Sequence, residues 1–306
     1  MLDLVLNKRL VIFSGKGGVG KTTMAISLGL MAARLGKKTL LVEMNAPERV
    51  AGFFCLKAIG YKETVCQKNL SGINVNPKDC FEEYILQRIH FKKVFDTFVN
   101  NRFVTSFLNA VPGFNELMMV GKIYDLAAHR HSQKPYDLII VDGPATGHGA
   151  SAFEVPQIVY NAVKVGPLHS QSKKMIDFLQ DKTMTVFCPV TLLEEMPIVE
   201  MTELISRIKA KLGIGVGPIF VNAYQKNIFS KEEEKTIFLE KNVNEKLKPY
   251  FIAAQFLSHR LGLQEKMMEL LQRLNPGSPY ILAPKMEAPI QIASDLLPIV
   301  DAWTNI

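Results

Sequence analysis

Apolar residues follow two alternating patterns along this chain. Short runs rich in aliphatic and β-branched residues are separated by longer segments in which apolar positions recur every three or four residues. This alternation predicts an α/β fold, with a mostly parallel central sheet and helices on both faces. Several runs are apolar throughout, as is typical of strands buried on both faces. The predicted strands are residues 10–14, 39–43, 138–142, 184–190, 218–222 and 280–283.

The sheet pattern lapses over residues 46–134. One further candidate strand, 72–76, lies there, and the stretches 81–108 and 114–131 have helical spacing. We therefore expect a single domain over residues 1–306, with 46–134 as a mainly helical insertion. Other predicted helices are 22–35, 193–212, 231–247 and the amphipathic tail 289–303, which is expected to pack against the sheet.

Composition narrows the functional classes. No apolar run reaches the roughly 18 to 20 residues that a membrane-spanning helix needs, so we expect a cytoplasmic protein. The net charge is +7, but the Lys and Arg residues are scattered, so nucleic-acid binding is not expected. The four cysteines form no CxxC pair, which argues against a disulfide framework or a structural zinc site. Cys55, Cys66 and Cys80 fall in the insertion, with a spacing that matches no metalloid site.

A glycine-rich run between the first strand and the first long helix has the form GxxxxGK[ST]. Glycines let several backbone N–H groups turn inward on phosphate oxygens, and the helix that follows adds its positive end. The sequence therefore predicts a phosphate-binding loop, and with it a single domain of P-loop NTPase type. Its residues are Gly15, Lys16, Gly17, Gly18, Val19, Gly20, Lys21 and Thr22.

Residues around this loop suit ATP and Mg²⁺. Lys21 is expected to neutralise the β- and γ-phosphates, and the Thr22 hydroxyl to ligate Mg²⁺. Thr23 can add a contact to the α-phosphate. Asp142, at the end of a predicted strand, is placed to hold a Mg²⁺-bound water.

The sequence GKGGVGKTT resembles the deviant Walker motif of dimeric P-loop ATPases, because it carries a second lysine, Lys16, after the first glycine. In that class the extra lysine reaches the partner's nucleotide. The resemblance implies that Lys16 acts in trans, within a homodimer or a heterodimer with a related ATPase. A surface lysine is the alternative.

Two further segments resemble the arsenite-pump and tail-anchored-protein-targeting ATPases within that class. The segment 136–156, YDLIIVDGPATGHGASAFEVP, is similar to their second switch. The resemblance assigns switch roles to Pro144, Thr146, Gly147 and His148. The sequence IFVNAY from position 219 is similar to their adenine-side strand, which implies that Asn222 contacts the base.

The chain departs from that family at Asn45, which stands where the family has an Asp that positions or activates the attacking water. An amide orients water but cannot take its proton, so slower hydrolysis is expected. Glu43 is either a catalytic residue near Mg²⁺ or a structural carboxylate. The zinc-binding CxxC and the iron–sulfur cysteines found in parts of the class are absent, so neither zinc nor a cluster is expected.

The resemblance implies a nucleotide-driven conformational switch that acts on a protein or a membrane-associated client, whose identity the sequence does not reveal. Two alternatives stay open. One is a hydrolysis-impaired, nucleotide-gated subunit paired with a related ATPase. The other is a partition or positioning ATPase on DNA or membrane, which the helical insertion and the Thr-Gly-His switch disfavour.

Overall fold

The computed structural model describes residues 1–86, 113–128, 136–239 and 243–304, with backbone alone for 145–151. Within these residues the strands form one eight-stranded sheet in the order β3-β4-β2-β5-β1-β6-β7-β8. Neighbouring strands are parallel except β3 and β4. The predicted α/β class is thereby confirmed. The strands are β1 Leu10–Gly15, β2 Thr39–Met44, β3 Thr64–Gln67, β4 Leu70–Val75, β5 Leu138–Ala145, β6 Thr185–Thr191, β7 Ile219–Tyr224 and β8 Tyr280–Pro284.

Helices cover both faces of the sheet. Side chains alternate across the central strand β1: Val11 and Phe13 pack with one layer of helices, and Leu10 and Ile12 with the other. The described helices are α1 Asp3–Leu6, α2 Lys21–Arg34, α3 Arg49–Phe53, α4 Pro77–Leu86, α5 Phe114–Ala128, α6 Thr146–Ala162, α7 Pro167–Gln180, α8 Glu195–Arg207 with a π-helical extension Ile208–Leu212, α9 Lys231–Leu239, α10 Lys248–Leu274 and α11 Leu297–Thr304 after a 3₁₀ turn Ala293–Leu296.

The C-terminal tail packs against the sheet, as predicted. Trp303 is buried, and its indole N–H donates to the carbonyl of Leu282 on β8 at 3.0 Å. Its ring meets that of Phe220 on β7 edge-on, with centroids 5.6 Å apart. Among the described helices, none combines the length and the apolar character of a membrane-spanning segment.

Segment 46–134 contributes two strands to the sheet: β4 corresponds to the predicted strand 72–76, whereas β3 was not predicted. β4 pairs along β2 in parallel, and β3 folds back on β4 at the edge. The predicted helix 81–108 corresponds to α4 as far as Leu86, and the rest of it lies outside the described residues. The predicted helix 114–131 corresponds to α5, with 129–131 also outside.

Two boundaries were predicted wrongly, and one helix was missed. β5 does not end at Asp142 but continues to Ala145, because Gly143 lets the strand pass close to β1: a Cβ there would lie 2.3 Å from the carbonyl oxygen of Phe13. The predicted helix 231–247 is described only to Leu239, and residues 243–247 are not helical. The 27-residue helix α10 was not predicted, since Pro249 and Gly262 interrupt the helical signal.

Candidate nucleotide-binding site

The loop 15–22 joins β1 to α2 at the carboxyl edge of the sheet. Gly20 has φ of +92°, a left-handed conformation that favours glycine, and a Cβ there would lie 2.1 Å from the side-chain nitrogen of Asn222. At Gly15 a Cβ would lie 2.2 Å from the carbonyl oxygen of Val190. Both glycines are therefore required by the local backbone, and the loop has the predicted strand–loop–helix setting for an anion.

Lys21 lies in the first turn of α2 and is 9% exposed. Its Nζ donates to the carbonyl oxygen of Lys16 at 3.1 Å, which curls the side chain back over the loop. Burial lowers the pKa of this ammonium group, and Arg49 lowers it further, whereas Asp142 opposes the shift. A partly desolvated cation of this kind gains most when an anion enters the loop.

Thr22 and Asp142 are brought together by the β1–β5 pairing. The Thr22 hydroxyl donates to Asp142 Oδ2 at 2.6 Å. Burial raises the pKa of Asp142, while the Thr22 hydrogen bond and Lys21 counteract it. A hydroxyl and a carboxylate at one point form the ligand pair that Mg²⁺ takes beside nucleotide phosphates. The predicted metal residues therefore fit the ion.

Glu43 is fully buried at the end of β2 and is the register partner of Asp142 on β5. Its Oε1 accepts the Val50 N–H at 3.1 Å, while Oε2 is buried and has no hydrogen-bond partner among the described residues. Burial, helped by Asp142 and Glu48, raises the pKa of Glu43 to about 7. This carboxyl therefore titrates near neutral pH, beside the candidate Mg²⁺ ligands.

Asn45 is exposed immediately after β2. Its φ is +48°, and its backbone N–H donates to the carbonyl of Val75 at 2.7 Å. Asn74 holds the same turn, because its amide donates to the carbonyl of Ala46 at 2.8 Å and to Glu48 Oε1 at 3.1 Å. Sequence analysis missed Asn74 and Glu48, which lie outside any motif.

Lys16 is half-buried and pairs within its own chain. Its Nζ lies 2.7 Å from Glu200 Oε1 on α8, and each side chain is about one-third exposed, at 33% and 30%. The trans role of Lys16 stays a prediction. Glu200 lies in the segment EMPIVEMTEL of α8, and sequence analysis did not predict its contact with Lys16.

Asn222, at the end of β7, ties this strand to the loop. Its Nδ2 donates to the carbonyl of Val19 at 3.0 Å, and its Oδ1 accepts the N–H of Ala223 at 2.8 Å. A cleft of about 210 Å³ opens beside it. The cleft is lined by residues after β6, β7 and β8 and by one face of α10, among them Glu194, Asn222, Arg260, Leu263, Gln264 and Lys285.

A nucleoside bound at the loop would find this cleft beside Asn222. Gln264 shapes it, because its amide donates to the carbonyl of Gln225 at 2.7 Å and accepts that residue's N–H at 3.0 Å. Sequence analysis missed Arg260 and Gln264, since α10 itself was not predicted.

Among the predicted switch residues, Pro144 has described side-chain surroundings. Pro144 is half-buried on β5, and its carbonyl accepts the Ser14 hydroxyl at 3.2 Å. Gly17 is exposed in the loop. The triplet of Thr146, Gly147 and His148 begins α6 directly after β5, where a loop was expected, and its side chains lie outside the description. Thr23, in the first turn of α2, is half-buried.

Metal-ligating side chains do not gather elsewhere in the described chain. In the ranges described, no group of three or more His, Cys, Asp or Glu could hold a metal ion. The thiols of Cys55, Cys66, Cys80 and Cys188 are free, and burial raises the pKa of Cys66 to about 11. An ion at Thr22 and Asp142 would therefore complete its shell with phosphate and water.

Comparisons with known proteins agree with this geometry. The model of a family described as anion-transporting ATPase matches residues 8–176, more than half of the chain. The ATPase BagA of Mycobacterium tuberculosis is 31% identical over 222 residues, covering 70% of this chain and 64% of that protein. An ATPase ASNA1 homolog of Entamoeba dispar is 26% identical over 250 residues, covering 69% and 75%. The chain thus spans less than two thirds of the BagA length.

Proposed function

This chain belongs to the anion-transporting ATPase family, and from that premise we propose that it is a Mg²⁺-dependent ATPase that acts as a dimeric, nucleotide-driven switch. The observation that carries the proposal is the convergence of Lys21, Thr22 and Asp142 at the loop 15–22, with the Thr22 hydroxyl 2.6 Å from Asp142. The names of two relatives, both ATPases, support the reaction class.

Each residue of the loop has a defined task in this proposal. The backbone N–H groups of 15–22 and the Lys21 ammonium group hold the β- and γ-phosphates. Thr22 and Asp142 would hold Mg²⁺, which neutralises the charge that develops on the phosphates. Water attacks the γ-phosphorus, the bond to the β–γ bridging oxygen breaks, and ADP and phosphate leave.

The attacking water has two candidate neighbours in the first switch. Asn45 is exposed at the carboxyl end of β2 and can orient water through its amide. Glu43 has a pKa of about 7, so its carboxyl is able to exchange a proton near neutral pH. We expect slow hydrolysis, because the residue nearest to solvent is the amide and the titratable carboxyl is buried.

Dimer formation would bring Lys16 to the nucleotide of the partner. For that to happen, Lys16 must leave Glu200, with which it pairs at 2.7 Å in the single chain. A half-buried pair that still reaches solvent contributes roughly 1 kcal/mol, which an arriving phosphate group readily exceeds. Nucleotide binding and dimerisation are therefore coupled through one side chain. The client is a protein or a membrane-associated molecule.

The test is ATP hydrolysis by the purified protein with Mg²⁺ and with EDTA, compared with Lys21→Ala and Thr22→Ala. We expect Mg²⁺-dependent release of phosphate that falls by about a hundredfold in Lys21→Ala. Thr22→Ala is expected to need more Mg²⁺. The matched control is Lys37→Ala, which makes the same substitution at a lysine that lies just after α2. Equal turnover in wild type and Lys21→Ala would refute the proposal.

A second function, a nucleotide-gated binding subunit that scarcely hydrolyses ATP, is favoured by one observation, the amide of Asn45 in the place of a carboxylate. In that case calorimetry detects ATP binding that Lys21→Ala abolishes, while phosphate release stays at the background rate. Such a result would remove hydrolysis from the proposal and retain the switch.

A further inference from the structure

Helix α10 presents an apolar stripe to solvent. Over its 27 residues it buries only Ser258, Leu261 and Leu271, and its first ten residues bury none. Opposite the buried side, four large apolar residues follow one another at helical spacing with exposed fractions of 39% to 70%. We call them the α10 stripe: Ile252, Phe256, Leu263 and Leu274.

The surface continues onto α9. Phe238 and Leu239, at its end, are 54% and 73% exposed. Gln255 of α10 donates to the carbonyl of Ile237 at 2.8 Å, which fixes that end of α9 beside the N-terminal half of α10. The apolar area is therefore a built feature of two packed helices, and not a single stray side chain.

Basic residues border the stripe. At 100° per residue, Lys248, His259, Lys266 and Arg273 project on one side of it and Arg260 on the other, while Glu265 and Glu269 project away. Lys248 pairs with Glu245 at 3.4 Å. In the described part of the chain, no carboxylate forms an ion pair with the other four basic residues.

The acidic turn of α9 does not neutralise this border. Glu233 accepts the Ser230 N–H at 2.7 Å, and Glu234 accepts from the side-chain amide of Asn227 at 3.1 Å, so both carboxylates are hydrogen-bonded at the start of their own helix. The apolar stripe of α10 is therefore bordered by positive charge.

The charge of this surface distinguishes among three possible binding partners: a second copy of the chain, a peptide helix and a lipid membrane. A second copy packed on it about a twofold axis would place one basic border against the other, which is repulsive. A peptide helix usually docks in a groove, whereas the first ten residues of α10 contain no buried side chain that could form one. A surface of anionic lipids satisfies both features, since apolar side chains enter the headgroup boundary and Lys and Arg meet lipid phosphates.

We propose that the α10 stripe docks this protein, with α10 lying in the interface plane, on membranes that contain anionic lipids. Arg260 and Leu263 belong both to this surface and to the wall of the nucleotide cleft. Docking and nucleotide occupancy therefore share one helix. The inference does not require ATP hydrolysis, and it is testable without nucleotide.

The experiment is co-sedimentation of the purified protein with vesicles of phosphatidylcholine alone or mixed with phosphatidylglycerol. We expect binding to the mixed vesicles only, weakened when salt is raised to about 0.5 M. Phe256→Glu and the charge reversal Lys266→Glu with Arg273→Glu are each expected to weaken it by at least about tenfold. All of these side chains are exposed, so circular dichroism should be unchanged.

Val165→Glu is the matched control, because Val165 is 81% exposed outside this surface and its exchange adds the same charge. It should bind like the wild type. The proposal is overturned if the wild type does not bind anionic vesicles or binds neutral vesicles equally well. It is also overturned if Phe256→Glu binds anionic vesicles as well as Val165→Glu does. Self-association lost in Phe256→Glu, without vesicle binding, would assign the stripe to a second copy instead.

Discussion

Lys16 Nζ lies 2.7 Å from Glu200 Oε1, so the second lysine of the loop is held by α8 of its own chain. The pair bridges two segments 184 positions apart, one at the end of β1 and the other in a helix after β6. In the proposed dimer Lys16 would therefore start from a defined position, and its release from Glu200 would contribute to the energetics of dimerisation.

Replacing Lys16 with Ala is expected to abolish ATP-dependent dimerisation and turnover, while nucleotide binding by the monomer is retained. Glu200→Gln should instead favour the dimer by up to about fivefold, because a pair that is one-third exposed is worth about 1 kcal/mol at most. Analytical ultracentrifugation with a non-hydrolysable ATP analogue measures both. Lys173→Ala, which breaks the exposed pair with Asp177, is the control. Unchanged dimerisation of Lys16→Ala would disprove the trans role.

Asn45→Asp is expected to raise the hydrolysis rate about tenfold or more, because a carboxylate can take a proton from the water that an amide only orients. Steady-state phosphate release measures the effect. Asn69→Asp makes the same exchange in a turn with the same left-handed backbone, φ +63°, away from the loop 15–22, and should leave the rate unchanged. A wild type as fast as Asn45→Asp would show that the amide does not limit turnover.

The strands of this fold could be predicted because burial on both faces makes them apolar throughout, as in 10–14 and 39–43. β3 could not, since an edge strand packs on one face only and leaves Val65 71% exposed. Helix α10 was not predicted from the sequence for a related reason. Its exposed apolar residues blur the periodicity that marks an amphipathic helix, and Gly262 looks like a stop.

Site residues could be predicted from the sequence where binding phosphate requires particular residue types at fixed positions within one short segment. The loop 15–22 needs its glycines and lysine at fixed positions, and Asp142 follows from the end of a buried strand. Glu200, Asn74 and Gln264 were not predictable. They reach the site from distant segments, and nothing in their own neighbourhoods encodes the contact.

Gly20→Ala is expected to lower the free energy of unfolding by about 1 to 3 kcal/mol and to weaken nucleotide binding. Two causes act together, since φ is +92° and the new Cβ would collide with Asn222. Adding Asn222→Ala removes the collision and leaves the backbone strain, so the double variant should recover part of the loss. Urea unfolding of the wild type, Gly20→Ala, Asn222→Ala and the double variant measures the coupling between the two substitutions. Strict additivity would rule out the contact.

Trp303→Ala is expected to cost about 3 to 5 kcal/mol of stability, because it empties a fully buried site and leaves the Leu282 carbonyl without its donor. Trp303→Phe keeps most of the apolar volume but not the N–H, and should cost distinctly less. Urea denaturation followed by circular dichroism compares them. Similar losses in both variants would mean that the hydrogen bond, and not packing, dominates.

Glu43 makes stability depend on pH in a direction opposite to that of most carboxylates. In the unfolded chain it loses its proton near the ordinary pKa of 4.5, whereas the folded protein keeps it until about pH 7. Between these values the folded state binds the extra proton, so the contribution of Glu43 to stability falls as pH rises and is constant above about 7. The full loss approaches about 3 kcal/mol.

Glu43→Gln removes this titration but keeps an oxygen for the Val50 N–H, which lies 3.1 Å from Oε1. The variant should therefore gain stability relative to the wild type as pH rises from 5 to about 8, with the largest change below pH 7. Urea unfolding at each pH measures the difference, and Glu203→Gln on the exposed side of α8 is the control. Parallel pH profiles for wild type and Glu43→Gln would contradict the raised pKa. They would also leave Glu43 ionised at neutral pH, as a buried partner of Asp142 that needs a cation between them.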